Sequence, residues 1–169
     1  MKLILRDKSS SVVDAWREAF SDDAEVDISW GDIFEKRAQA IISPANSYGW
    51  MNGGIDYYYT LFFGAQLQDR LQAKIIEFFK GELPVGEAII LHTGSKEIPL
   101  LISCPTMRLP DNVAHTQNAY LAFKAGLWLA KENGVESVLS PGMCTLTGGM
   151  SAINCAKQMK KAWDEIITH

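Results

Sequence analysis

The chain has 169 residues, 47% apolar and 21% charged, enough for one compact domain spanning residues 1–169 with a full-sized core. Sixteen Lys and Arg against twenty Asp and Glu leave a formal net charge of −4. Bulk nucleic-acid binding is therefore disfavoured, while one phosphate-bearing small molecule held by backbone amides is not. Cys104, Cys144 and Cys155 lack C-x-x-C spacing and His92, His115 and His169 are scattered, so no disulfide framework, metal site or cofactor is expected. Arg6 and Asp7 interrupt the first apolar run and no later run is long enough to span a bilayer, so the expected location is cytoplasmic, with no membrane partner.

In chain order, residues 2–6 read as a short strand, and Ser9, Ser10 and Ser11 offer N-caps for a helix whose Val12, Val13, Trp16 and Phe20 share one face. Residues 25–30 alternate, with Val26, Ile28 and Trp30 on one side, as in a half-exposed strand at or beside a sheet edge. Residues 38–42 are apolar except for Gln39, the pattern of a parallel strand covered on both faces, and a loop is expected from Ser43. One helix is predicted to start near Asp56, and a second carries Leu67, Leu71, Ile75 and Phe79 before Gly81. Residues 88–92 and 100–104 read as strands joined by a tight turn at Gly94 and Ser95. Asp111 is expected to cap a long helix ending at Asn133-Gly134. A strand over residues 135–139, a loop to Gly149, and a last helix with Met150, Ile153, Ala156, Met159 and Trp163 facing inward complete the chain. This alternation predicts a three-layer α/β/α sandwich built on a mixed, mostly parallel sheet of about six strands.

In such sheets ligands lie beyond the carboxyl ends of the strands. Asp32, the segment 43–56 and the segment 140–149 each follow a predicted strand, so three unusual loops share one rim. The second holds Gly49, Gly53 and Gly54 among Asn46, Asn52 and Asp56, and the third holds Gly142, Gly148 and Gly149 before a helix. Glycines let a backbone approach a ligand, and free N–H groups attract phosphate. Neither loop is a G-x-x-x-x-G-K-[ST] or G-x-G-x-x-G fingerprint and no G-x-S-x-G elbow occurs, so ordinary NTP hydrolysis, hydride transfer and acyl-enzyme chemistry lose support.

The residues Gly31-Asp32-Ile33, then Ala40-Ile41-Ile42-Ser43-Pro44-Ala45-Asn46-Ser47, then Asn52-Gly53-Gly54-Ile55-Asp56, then a glycine loop before the last helix, resemble the macrodomain family of ADP-ribose-binding modules. The specific part is an asparagine turn followed ten positions later by an aspartate after paired glycines. The resemblance implies that Asp32 accepts a hydrogen bond from the adenine amino group, with Ile33 beside it donating from its backbone. It implies that Asn46 holds the distal ribose and that Gly53, Gly54 and Ile55 close over that ribose and the diphosphate. Gly142, Met143, Cys144, Thr145, Leu146, Thr147, Gly148 and Gly149 correspond to the second phosphate loop. Asp56 corresponds to the aspartate that orients or activates a water in hydrolytic members, which makes Asp56 and Asn46 the catalytic candidates. Ser43 and Met150 are also expected to contact the substrate, but both depart from the family pattern: Ser43 stands where many hydrolytic members carry a second asparagine, and Met150 stands where an aromatic residue often flanks the distal ribose. The implied activity is hydrolysis of an ADP-ribose derivative: an ADP-ribosyl ester, O-acetyl-ADP-ribose or ADP-ribose 1″-phosphate. The alternative is a non-catalytic reader of ADP-ribose or of an ADP-ribosylated partner.

Plainer readings stand beside these. Asp32 is also a turn residue, Asp56 also suits a helix N-cap, and Asn46 is able to stabilise its own turn. The aromatic run Trp50, Tyr57, Tyr58, Tyr59, Phe62 and Phe63 is dense enough that most rings are expected in the core, with Trp50 the exception. Arg108 reads as solvated, and Cys144 as a small filler.

Overall fold

A computed structural model describes residues 1–169. Strands β1 (Lys2–Asp7), β2 (Asp27–Trp30), β3 (Ala40–Asn46), β4 (Ile89–His92), β5 (Leu100–Met107) and β6 (Ser137–Ser140) alternate with helices α1 (Ser10–Ala19), α2 (Gly54–Phe63), α3 (Gln66–Phe79), α4 (Asn118–Glu132) and α5 (Ala152–Ile167). The strands form one sheet in the order β2-β1-β6-β3-β5-β4, parallel throughout except for β4, which pairs antiparallel with β5.

Successive side chains along the inner strands point to opposite faces, and both faces are covered. Leu3, Leu5, Ala40, Ile42, Ile102 and Val138 pack under α1, α4 and α5. Ile4, Ile41, Leu101 and Leu139 face the other way, toward α2 and α3. The result is a three-layer sandwich. Gly126 lets α4 approach the sheet closely, since a Cβ there would lie 2.5 Å from the Cys104 sulfur. At the β4 edge, Arg70 donates to the His92 carbonyl (2.7 Å) and Lys74 to the Ile90 carbonyl (3.4 Å), so α3 side chains satisfy groups that an unprotected edge would offer to another strand.

Three differences from the sequence-based expectation have tertiary causes. First, β3 does not stop at Ile42 but runs through Pro44 to Asn46 beside β5, because β6 pairs only with Ala40 and Ile41 and leaves that flank of β3 without a partner that would need the missing proline N–H. Second, α4 begins at Asn118, not near Asp111. The Asp111 carboxylate accepts from the next backbone N–H (2.7 Å), and the intervening loop is held by Val113 N–H donating to the Gly148 carbonyl (2.9 Å). Third, of the α2 aromatics only Tyr59 is fully buried, while Tyr57, Tyr58 and Phe62 remain exposed because α2 packs a narrow stripe on the sheet.

The length mismatch at β6 places the site. On one side β1 continues past it to Asp7 with β2; on the other, β3 continues to Asn46 with β5. The centre of the sheet therefore ends in a notch on the carboxyl rim. Across that notch the chain leaves β1 for α1 on one face and leaves β3 for α2 on the other, the arrangement that opens a crevice in parallel sheets.

Candidate functional site

Three loops line the notch. The first, after β3, is folded by Asn46, whose Oδ1 accepts from Tyr48 N–H (3.0 Å) and Trp50 N–H (3.2 Å) and whose Nδ2 donates to the Trp50 carbonyl (2.8 Å). A register irregularity between Ala45 and Asn46 turns this side chain out of the ladder. Met51 anchors the loop: it is buried, its N–H donates to Gln68 (2.7 Å), and its carbonyl accepts from the Thr60 hydroxyl (2.7 Å). Gly53 and Gly54 then open α2 with no side-chain cap, and nothing lies within 4 Å of where either Cβ would stand. Gly54 has φ +58°, a conformation that favours glycine. The open space beside this backbone leaves the N–H groups at the start of α2 available.

The second loop follows β6. Gly142 N–H donates to an Asp7 carboxylate oxygen (2.9 Å), and Met150 N–H donates to the Cys144 carbonyl (2.9 Å). A Cβ at Gly148 would sit 2.6 Å from that carbonyl oxygen, so the turn closes only around glycine. Cys144 holds φ +68°, which a side-chain-bearing residue adopts at a cost of order 1 kcal/mol or more.

The third loop is Gly31-Asp32. Arg6 clamps it, its Nε donating to the Asp32 carbonyl (2.7 Å), Nη1 to Ser29 (2.8 Å) and Nη2 to Glu35 (3.1 Å). One Asp32 carboxylate oxygen accepts from Phe34 N–H (2.9 Å) and caps a single 3₁₀ turn, Ile33–Glu35.

Between the loops lies a cleft of two compartments. The larger, about 800 Å³, runs from Arg6, Lys8 and Ser9 past Asp32, Ile33 and Phe34 to Tyr57 and Tyr58. The smaller, about 170 Å³, is lined by Ala45, Asn46, Trp50, Asp56, Thr106, Met107 and Pro110 with the loop residues Gly142, Cys144, Thr145, Leu146, Thr147 and Gly148. Asp7, Asn52, Gly53, Gly54, Ile55, Pro141 and Leu146 border both, so the compartments meet at a saddle made of glycine-loop backbone and one carboxylate.

Of the residues singled out in the sequence, the fold brings Asp32, Ile33, Asn46, Gly53, Gly54, Ile55, Asp56, Gly142, Cys144, Thr145, Leu146, Thr147 and Gly148 to this one cleft. Ser43, Met143, Gly149 and Met150 do not line it. Met143 and Met150 are buried in the core under α5, and Gly149 turns the chain at φ +68° behind the loop. Ser43 lies fully buried beneath the floor, where its hydroxyl donates to Asp56 Oδ1 at 2.5 Å. Arg108 stands outside, paired with Glu82 (2.6 Å) over the Tyr48 ring. Asp7, at the saddle, escaped the sequence reading, as did Thr106, Met107 and Pro110. Asp7 is the last residue of a strand, and the strand-end rule applied to β1 would have found it.

Electrostatically, Asp56 stands apart. It is 4% exposed, and burial pushes its carboxyl up from the ordinary 3.8 to about 7, a rise tempered by the Ser43 hydrogen bond. A carboxyl balanced near neutral pH can take up or release a proton under working conditions. Burial also pushes the Cys144 and Cys155 thiols up to about 12 and that of Cys104 upward too, which leaves all three in the unreactive thiol form at neutral pH. No group of three or more His, Cys, Asp or Glu side chains gathers in a way that could hold a metal ion, and no helix is long and apolar enough to cross a membrane.

The fold is thus a three-layer sandwich on a mixed six-stranded sheet, with two glycine loops meeting over a rim cleft. The sequence matches the Macro domain family over residues 42–159, and the chain belongs to that family. An uncharacterized protein of Aeropyrum pernix is 36% identical over 138 residues, covering 80% of this chain and 68% of that one. Among solved structures, the macrodomain of Mycobacterium tuberculosis DarG superposes with a TM-score of 0.69 at 18% identity, covering 80% of this chain and 87% of that one. A variant of the Oceanobacillus iheyensis macrodomain with ADPR superposes with a TM-score of 0.70 at 20% identity, covering 80% and 74%.

Proposed function

We propose that the cleft binds ADP-ribose and that the chain hydrolyses an ADP-ribose derivative at or beside the distal ribose. The observation that carries this reading is the pair of unequal compartments meeting at a backbone-lined saddle, with a buried carboxyl at the end of the smaller one. Adenosine fits the larger compartment, with Asp32 accepting from the adenine amino group and Ile33 donating from its backbone. The diphosphate crosses the saddle on the N–H groups of Gly53, Gly54 and Ile55 and of the loop from Cys144 to Gly148. The distal ribose enters the smaller compartment between Asn46 and Asp56.

Relatives support this reading. The Oceanobacillus iheyensis macrodomain is seen with ADPR and with ADP, and the Thermosipho africanus DarTG protein with ADP-ribose. Variants of the Oceanobacillus protein at an asparagine, a glycine and an aspartate have been solved, and those three positions are separated by seven and then three residues. Asn46, Gly53 and Asp56 have the same spacing.

In the reaction, a water molecule lies against the Asp56 oxygen that Ser43 does not engage. Ionised Asp56 takes a proton from this water as its oxygen forms the new bond to the substrate carbon or phosphorus. The bond to the departing group breaks, and loop N–H groups stabilise the negative charge that develops. Asn46 holds the sugar so that the reacting atom stays in line.

The test is turnover of an ADP-ribosylated protein, O-acetyl-ADP-ribose and ADP-ribose 1″-phosphate by wild type and by Asp56→Ala, with ADP-ribose binding measured in parallel by calorimetry. Turnover lost with binding retained supports the enzyme. Undiminished turnover in Asp56→Ala removes Asp56 from the mechanism. Tight binding by wild type without turnover of any substrate assigns the chain to the readers instead.

A further inference from the structure

The saddle between the compartments carries a negative charge where a diphosphate has to pass. Asp7 is the only acidic side chain that borders both compartments. Its carboxylate is fixed at the end of β1, one oxygen accepting from Ser9 N–H (2.8 Å) and the other from Gly142 N–H (2.9 Å). That second bond uses an amide of the loop that would otherwise serve a phosphate. The remaining charged residues lining the cleft are Arg6 and Lys8 beside it, Asp32 after β2 and Asp56 on α2, and the β6–α5 loop contributes none. Arg6 is occupied with Asp32, Ser29 and Glu35, which leaves exposed Lys8 as the nearest uncommitted cation. This cleft holds phosphate with neutral backbone donors and does not collect charge.

We infer that Asp7 is a specificity-determining residue that makes the cleft discriminate against nucleotides ending in a free phosphate and in favour of a diphosphate esterified at both ends. The inference rests on the ADP-ribose reading above. An internal diphosphate diester carries one charge per phosphorus, whereas the terminal phosphate of ADP carries close to two above its second ionisation near pH 6. That extra charge falls at the saddle, a few ångströms from a carboxylate in a partly desolvated site, where one unit charge changes affinity by about tenfold. Desolvation makes this repulsion effective, since in open solvent it would be screened.

The experiment is calorimetric titration of the full chain with ADP-ribose, ADP and AMP, in wild type, Asp7→Asn and Lys8→Glu. Asp7→Asn also weakens the Gly142 contact, so the quantity read is the ratio of the ADP and ADP-ribose dissociation constants, which a uniform loosening of the loop leaves unchanged. The ratio is expected to fall by about tenfold in Asp7→Asn and to rise in Lys8→Glu, which adds charge without touching Gly142. A second series from pH 8 to pH 5.5 is run with Asp56→Asn in every protein, to remove the other titration in that range. There the ratio falls toward acid pH when Asp7 is present and stays level when it is replaced. Unchanged ratios across these variants, with ADP-ribose still bound, overturn the role of Asp7 alone. Failure of wild type to bind ADP-ribose overturns the ADP-ribose reading and this inference with it.

Discussion

Replacing Asp56 with asparagine tests the electrostatics of the cleft without reference to any substrate. The variant Asp56→Asn keeps the size of the side chain and a carbonyl oxygen for Ser43 while deleting the ionisable proton. In the wild type the folded protein holds that proton up to about pH 7, whereas the unfolded chain releases it near 3.8. The stability linked to this group is therefore complete below about pH 4 and is lost progressively as pH rises to about 7. A difference of about three pH units at about 1.4 kcal/mol each gives about 4 kcal/mol. Hydration of the oxygen that faces the cleft reduces this to about 2–4 kcal/mol. Urea unfolding followed by tryptophan fluorescence, at steps from pH 4 to pH 8.5, yields the difference in stability between the two proteins, in which the other titrating groups cancel. That difference is expected to move in favour of Asp56→Asn by about 2–4 kcal/mol across the series, so that a variant expected to lose turnover outlasts the wild type in alkali. Parallel stability curves for the two proteins would refute the assignment of a raised proton affinity to Asp56.

Two further substitutions test the loops. Asn46→Ala removes three hydrogen bonds from the turn after β3 and is expected to cost about 1–2 kcal/mol of stability; calorimetry should show ADP-ribose binding about tenfold weaker, with AMP unaffected. Gly148→Ala drives a methyl group against the Cys144 carbonyl and a Val113 methyl, neither of which has room to yield, and thermal unfolding should register a loss of about 1–3 kcal/mol.

The three rim loops are legible because each follows a strand whose apolar pattern is local, and because parallel sheets put all such exits on one side. Asp32, Asn46 and Asp56 need no more than that to be brought together. Asp7 is legible by the same rule, as the last residue of β1, but its bond to the Gly142 loop depends on β1 lying beside β6, a pairing no short window records. Pro44 reads as the end of a strand, and only the early stop of β6 explains why β3 continues through it. The start of α4 is hidden from a local reading because the tie from Val113 to Gly148 joins segments far apart in the chain. Ser43 reads as a ligand contact, yet two-residue alternation puts it with Ile41 and Ala45, on the face of the sheet covered by α2 and α3. Its burial beside Asp56 follows from that parity.

The brevity of β6 has a consequence for how the binding groove can vary. The groove exists because a four-residue strand lies between longer neighbours, so its depth is governed by backbone length and not by the identity of any lining side chain. Two additional paired residues on β6 would extend the ladder between Asp7 and Asn46 and fill the passage with main chain, however well every loop side chain were preserved. Conversely, the lining can change freely at the surface while the recess itself persists, held open by an unfinished row of hydrogen bonds.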